Sequence, residues 1–215
     1  MSKSVYSIVL DDEIINMIDI MAARQSTSRS NLINRILAQH VSVPTAETML
    51  SDVYTSIDEF LNGHSSLAVQ LLGNSSMINM RSSLQYKYNP SVKYSVEIFE
   101  KGNFLGQLKV SMRSQNKQLL DILDNFFYLW TTLEISYCGI NQNLVSLGDG
   151  KYTRVFRLYN CNNYNDYGKN IASYINLFDK CLKEYFNYYS VSPSSANNTV
   201  KQIFINNMTN TMSKL

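Results

Sequence analysis

The chain carries little with which to hold a metal or run covalent chemistry: three cysteines and two histidines in 215 residues. Cys138, Cys161 and Cys181 form no CxxC pair, and His40 and His64 are too few and too far apart to complete a zinc-ligand spacing. No metal or other cofactor is expected. An odd cysteine count suits a reducing compartment in which the thiols are buried or inert. Long apolar runs are missing as well, since no stretch approaches the roughly 20 residues that span a bilayer. The N-terminal apolar stretch ends at Leu10 and meets Asp11-Asp12-Glu13, which no secretory signal does. These absences lead to the expectation of a soluble, cytoplasmic protein with no membrane partner. Glycines Gly73, Gly102, Gly148 and Gly150 stand where turns are expected, and no GxxxxGK spacing follows a strand. Charge is sparse too. Charged residues make up 17% and the net charge is +2, too little to indicate a nucleic-acid partner by itself. Within residues 1–42 the cations Lys3, Arg24, Arg29 and Arg35 are balanced by Asp11, Asp12, Glu13 and Asp19. Any DNA contact there must rest on a few well-placed groups.

Hydrophobic residues make up 45% of the chain, enough for a packed core, and the length allows a small module plus one ordinary domain. Val5 to Leu10 alternates as a short strand. Asp11 is an N-cap residue, and Asp12 and Glu13 suit the positive end of a helix dipole. Ile14, Ile18, Met21 and Ala22 then recur at helical spacing to about Arg24. Gln25-Ser26-Thr27 reads as a turn. Ser28 caps a second helix with Leu32, Ile33, Ile36, Leu37 and Val41 on one face, and Pro44 stops it. A strand with no hairpin neighbour must find an edge elsewhere, and a second copy of the chain offers an identical one.

Strand, helix, helix in that order, with Ser28-Arg29-Ser30 opening the second helix, resembles the ribbon–helix–helix family of DNA-binding proteins (the Arc, MetJ and CopG type). The resemblance covers residues 1–43. It implies a homodimer whose paired strands enter the major groove of double-stranded DNA. Tyr6, Ile8 and Leu10 would then continue the helices' apolar face, so that Val5, Ser7 and Val9 face the bases. It further implies a phosphate held at the start of the second helix, where free N–H groups and the positive helix end favour an anion. Ser28, Arg29 and Ser30 are the expected phosphate contacts, with Lys3 as a further backbone contact. Two valines and a serine can touch thymine methyls and make one hydrogen bond, a narrow vocabulary for base reading.

Residues 44–63 carry Met49, Val53, Ile57, Phe60 and Leu61 at helical spacing and read as a connecting helix. The body is expected over 64–190. Leu67, Leu71 and Leu72 suggest a short helix, and Gly73 to Ser76 a loop. Alternation predicts strands at Leu84–Tyr88, at Val92–Ile98, at Leu108–Met112, and in a hairpin of Leu144–Leu147 with Tyr152–Tyr159. Helical stripes predict helices over 117–137 and 168–189. The expected class is therefore α+β: a mostly antiparallel sheet of about five strands with long helices packed on it, behind the N-terminal module. Ser192 to Asn198 reads as a linker, and residues 191–215 as linker and tail, with Val200, Ile203, Phe204, Met208 and Met212 on one side of an amphipathic tail.

The body offers no catalytic constellation, and no enzyme is expected. Glu97, Glu100, Asp121 and Asp124 have nothing that gathers them into one pocket, and Tyr86, Tyr88 and Tyr94 fit a buried sheet face better than a base-stacking platform. The expected function is a sequence-specific regulator of transcription, a repressor in the simplest case. It would act as a homodimer or higher oligomer, its body setting oligomeric state or answering a small-molecule or protein effector. Two alternatives stay open: a plasmid-partition or antitoxin-type DNA-binding adaptor that grips a partner protein, and a protein that uses the N-terminal module only to dimerise.

Overall fold

The computed structural model describes residues 5–41, 46–64, 67–71, 77–99, 102–158, 164–208 and 215. They fall into two compact units, Met1–Met49 and Leu50–Leu215.

In the first unit, α1 (Asp12–Arg24) and α2 (Arg29–His40) form as the spacing predicts. Ser28 caps α2, its Oγ accepting from the Asn31 N–H at 3.3 Å, whereas the Asp11 side chain makes no such bond to α1. Residues 5–10 are not a paired strand within the chain. The strand expected at Val5–Leu10 is therefore not seen, since a strand needs a neighbouring edge to bond, and the first regular element is α1. Ala22 and Leu32 are the buried apolar residues among the described residues of this unit.

α3 (Ala46–His64) crosses the division between the units, and its later turns belong to the body. The body's sheet is wholly antiparallel and has six strands in the order β1-β2-β3-β4-β6-β5. These are β1 (Ala68–Leu71), β2 (Met77–Ser83), β3 (Ser91–Ile98), β4 (Phe104–Met112), β5 (Val145–Gly148) and β6 (Lys151–Arg157). The last two are joined by Asp149-Gly150, both with positive φ, the two-residue turn that matches strand twist. Register puts Met80, Tyr94, Val110 and Tyr152 side by side on one face, with Ile78, Val96, Leu108 and Arg154 in the next row. This face is buried.

α4 (Lys117–Leu133), α5 (Tyr164–Tyr189) and α6 (Pro193–Asn207) supply much of the rest of the core, with Val53, Ile57 and Leu61 of α3 also buried. Phe178 of α5 lies at its centre, in ring contact with Tyr94 of β3, Phe126, Phe127 and Trp130 of α4, and Tyr152 of β6. Gly168 of α5 marks a close helix approach: a Cβ there would stand 2.4 Å from the Val53 carbonyl oxygen of α3.

Three expectations are corrected. The stretch read as a short helix with Leu67 and Leu71 contains edge strand β1, and a second strand, β2, follows it. The alternating Leu84–Tyr88 is not a strand but the turn joining β2 to β3, with Tyr88 and Asn89 at positive φ. Residues 192–198 are not a linker: Ser192 caps α6, its Oγ accepting from the Ser195 N–H at 3.0 Å, and Pro193 takes the first helical position, where its missing N–H costs nothing. The amphipathic tail helix expected beyond this stretch is present within α6, which ends at Asn207, and Met212 lies outside the described residues. Val200 and Phe204 are buried, and Phe204 stands edge-on to Trp130 at 5.1 Å.

Candidate nucleic-acid interface

Val5 and Val9 are each 99% exposed and Ser7 is exposed, whereas Ile8 falls to 60% and Leu10 is half-buried. An extended segment sends successive side chains to opposite sides. Residues 5–9 are all exposed, those expected to face the bases and those expected to face the helices alike. Tyr6, on the opposite side, remains 84% exposed. Lys3 lies outside the described residues.

The other expected contacts, Ser28, Arg29 and Ser30, come together at the exposed start of α2. The Ser28 hydroxyl is engaged as the cap, which leaves the early N–H groups of the helix as the anion-facing donors. Arg29 is not a free cation. Its Nε donates to Asp19 Oδ1 at 2.6 Å, and its Nη2 to Asp19 Oδ2, a forked pair between α2 and α1. This hydrogen-bonded pairing holds the Asp19 carboxyl below its ordinary range and raises the Arg29 guanidinium. Both side chains are solvent-exposed, so water and salt keep the pair weak and exchangeable. Arg35 bonds to Gln25 across the same two helices. Sequence reading picked out Arg29 and Arg35 but not their partners, because ten residues separate each pair and only the α1–α2 crossing unites them.

Large apolar side chains stay exposed on both helices. Ile14, Met17 and Ile20 line α1, and Ile36 and Leu37 line α2. Their exposure leaves apolar surface in water that burial would stabilise.

No family model, curated protein or solved structure matches the chain.

The body contains a buried polar network that sequence reading missed. Glu134 begins a π-helical turn (Glu134–Cys138) that continues α4, and it faces Arg154 of β6 with Nε to Oε1 at 3.3 Å. The Tyr152 hydroxyl donates to Glu134 Oε2 at 2.7 Å, and the Trp130 indole N–H donates to the Tyr174 hydroxyl at 2.9 Å. With the Tyr152 proton committed to Glu134, Tyr174 is the donor in the 3.0 Å contact between the two phenols. Burial pushes the Glu134 carboxyl upward, opposed by the Arg154 charge, and holds Tyr152 and Tyr174 well above the ordinary phenol range. Every polar atom of this network that matters has a partner inside the core, so its role is to hold α4 and α5 against β6. Its sequence signal was Arg154 in the inward register of an otherwise apolar alternation with Tyr152 and Phe156.

The carboxylates considered for acid–base work do not converge. Glu97 pairs with Lys109 and accepts from Gln107, and Asp124 accepts from the Gly150 N–H. Glu100 lies outside the described residues. No group of three or more His, Cys, Asp or Glu that could hold a metal occurs among the described residues. Burial raises the Cys138 thiol to about 11 and the Cys181 thiol to about 12, far from the range of a reactive thiolate. Cys161 lies outside the described residues. No helix among the described residues is long and apolar enough to cross a membrane.

Proposed function

We propose that the chain is a homodimeric, sequence-specific DNA-binding regulator whose N-terminal unit is a ribbon–helix–helix module. The observation that carries this reading is the state of residues 5–10: an unpaired segment with Val5, Ser7 and Val9 exposed, ahead of two helices with exposed apolar side chains. Pairing the segment with its copy would satisfy the backbone groups and cover Tyr6, Ile8 and the helix faces in one step. The outward side would then face the major groove, and the first N–H groups of α2 would hold a phosphate.

Arg29 adds a regulatory detail. To reach a phosphate it must exchange Asp19 for DNA, so Asp19 competes with the duplex for the same guanidinium. Asp19→Asn is expected to raise affinity for all duplexes, and Arg29→Ala to lower it evenly. Ser7→Ala, by contrast, is expected to change the preference between sites.

The deciding experiment is fluorescence anisotropy of the full chain, across a salt series, with the DNA upstream of its own reading frame and with a scrambled duplex. Tight, salt-sensitive binding that prefers the upstream fragment supports a regulator. Weak, equal binding to both would leave the ribbon as a dimer clasp only, a second reading favoured by the two outward valines, which cannot read a donor or acceptor. An adaptor that offers its tail to a partner loses its main support, since Val200 and Phe204 of that tail lie in the core.

A further inference from the structure

The body's sheet is covered on one face, and its other face collects cations. Register sets Arg81 of β2 directly opposite Lys93 of β3, Lys93 opposite Ser111 of β4, and Ser111 opposite Lys151 of β6. Arg113 follows directly on β4, and Ser91 opens β3. Arg81, Ser91, Lys93, Ser111 and Arg113 line a concave pocket of about 420 Å³. Like charges directly opposite one another on a sheet repel, and an open face ordinarily interleaves acids among them. Here none of the three cations in the lining makes an ion pair among the described residues. Glu97, the acid of β3 on the same face, is already engaged by Lys109 and Gln107.

Two guanidinium forks, one ammonium and two hydroxyls make a lining rich in donors, with no carboxylate among the described residues. That is the chemistry of phosphate recognition: planar forks for paired oxygens, a point charge, and hydroxyls for what remains. The volume lies within the range of small-molecule sites and exceeds the needs of a bare ion. Three features favour a discrete molecule over a nucleic-acid strand. The cations converge on one concavity. No aromatic side chain among the described residues lines it to stack a base. Tyr94, the neighbouring tyrosine of β3, is turned into the core, where its hydroxyl bonds Asp179 at 2.9 Å.

We propose that this pocket binds a small phosphate-bearing molecule, its phosphate held across Arg81, Lys93 and Arg113 with Ser91 and Ser111 as further donors. The proposal stands on the body alone and does not depend on DNA binding by the N-terminal unit.

The test is isothermal titration calorimetry of the full chain with inorganic pyrophosphate and, separately, with ADP. Saturable one-site binding of either is expected, weakening about tenfold in Arg81→Ala and again in Arg113→Ala, the loss of one charge-assisted contact each. Tighter binding of ADP than of pyrophosphate would place the rest of a nucleotide in the pocket; the reverse would assign it to the phosphate groups alone. Arg29→Ala is expected to leave these heats unchanged whatever it does to DNA affinity, so the two readings fail separately. Absence of saturable binding to both probes, or equal binding by wild type and both variants, would overturn the proposal. So would a loss of duplex affinity in Arg81→Ala and Arg113→Ala with no small molecule added, which would make the face a path for nucleic acid.

Discussion

Among the described residues of the N-terminal unit the buried apolar side chains are Ala22 and Leu32, while Ile14, Met17, Ile20, Ile36 and Leu37 face solvent. In the body, Phe178 alone stands in ring contact with Trp130, Phe126 and Tyr152, and the fully buried side chains include tyrosines, phenylalanines and an arginine. Both regions have amphipathic helices, yet only the body supplies a second layer for its helices to cover. Helices of 12 or 13 residues are marginal alone, so a pair of them needs tertiary burial to persist. The contrast is between a body whose helices cover a sheet and an N-terminal unit whose described helices leave apolar side chains in solvent. On the proposed function, a second copy covers them.

The largest expected effect lies in the body and tests its packing. Arg154→Met strands Glu134 as a buried carboxylate and is expected to cost about 3–5 kcal/mol, a fall of about 10 °C in melting temperature. The loss should shrink as pH falls. Glu134 already binds its proton more tightly when folded than an unfolded carboxyl does, and removing Arg154 strengthens that tendency. Stability is then greatest below the ordinary carboxyl range and declines as pH rises through the raised folded value. Replacing both partners, Glu134→Leu with Arg154→Met, should recover much of the loss. Melts followed by near-ultraviolet circular dichroism at pH 5 and pH 8 measure both claims, and a variant equally stable at the two pH values would count against them.

Leu32→Ala is the corresponding break in the N-terminal unit. Large-to-small changes at buried leucine cost about 2–5 kcal/mol, which is more than a unit burying so little can hold. The expected outcome is loss of the α1 and α2 contribution to far-ultraviolet circular dichroism, with the body's melting unchanged. If the body melts earlier as well, the two regions are not the separate cooperative units that their packing suggests.

What could be read without coordinates follows the same division. Period two revealed β3, β4 and β6, because each buries alternate residues, and the Gly148-Asp149-Gly150 turn revealed β5 beside β6, although no residue of β5 is fully buried. Alternation missed β2, where Ile78, Asn79 and Met80 are buried in succession, the Asn79 amide accepting from the Ser95 hydroxyl at 2.7 Å. It predicted a strand at Leu84–Tyr88, where Leu84 is buried and Tyr86 packs edge-on to Phe186, but the segment is a turn. The Ser-Pro-Ser-Ser run before α6 has the composition of a linker but also the cap and first-turn residues of a helix, and the helix prevailed because Val200 and Phe204 had a core to enter. Of the candidate site, the start of α2 was legible from Ser28-Arg29-Ser30. The Asp19 lock on Arg29 and the row from Arg81 to Lys151 were not, since both depend on which elements lie side by side.

A smaller effect is expected where α3 meets α5. Gly168 has no side chain because the Val53 carbonyl oxygen and the Ser56 Cβ occupy the space, at 2.4 and 2.6 Å from a Cβ placed there. The first obstacle is backbone and cannot turn aside. Gly168→Ala should therefore cost about 1–3 kcal/mol by overpacking, despite alanine's better helix propensity. Urea denaturation of the variant decides between the two tendencies, and a gain in stability would mean that α3 can slide on α5.

The smallest effect separates two positions that look alike in sequence. Asp11 and Ser28 are both N-cap residues with favourable side chains, yet only Ser28 makes the capping bond. Ser28→Ala should cost ~1 kcal/mol, the usual worth of a cap, whereas Asp11→Ala should cost only the few tenths that a carboxylate contributes to a helix dipole. Raising the salt concentration sharpens the distinction, because it screens the dipole term and leaves the hydrogen bond. Thermal melts of the N-terminal helices in low and high salt should show Asp11→Ala converging on wild type while Ser28→Ala stays below it. If pairing with a second copy draws Asp11 into a cap, its cost will instead rise with protein concentration, tying this smallest effect to the pairing of the unit.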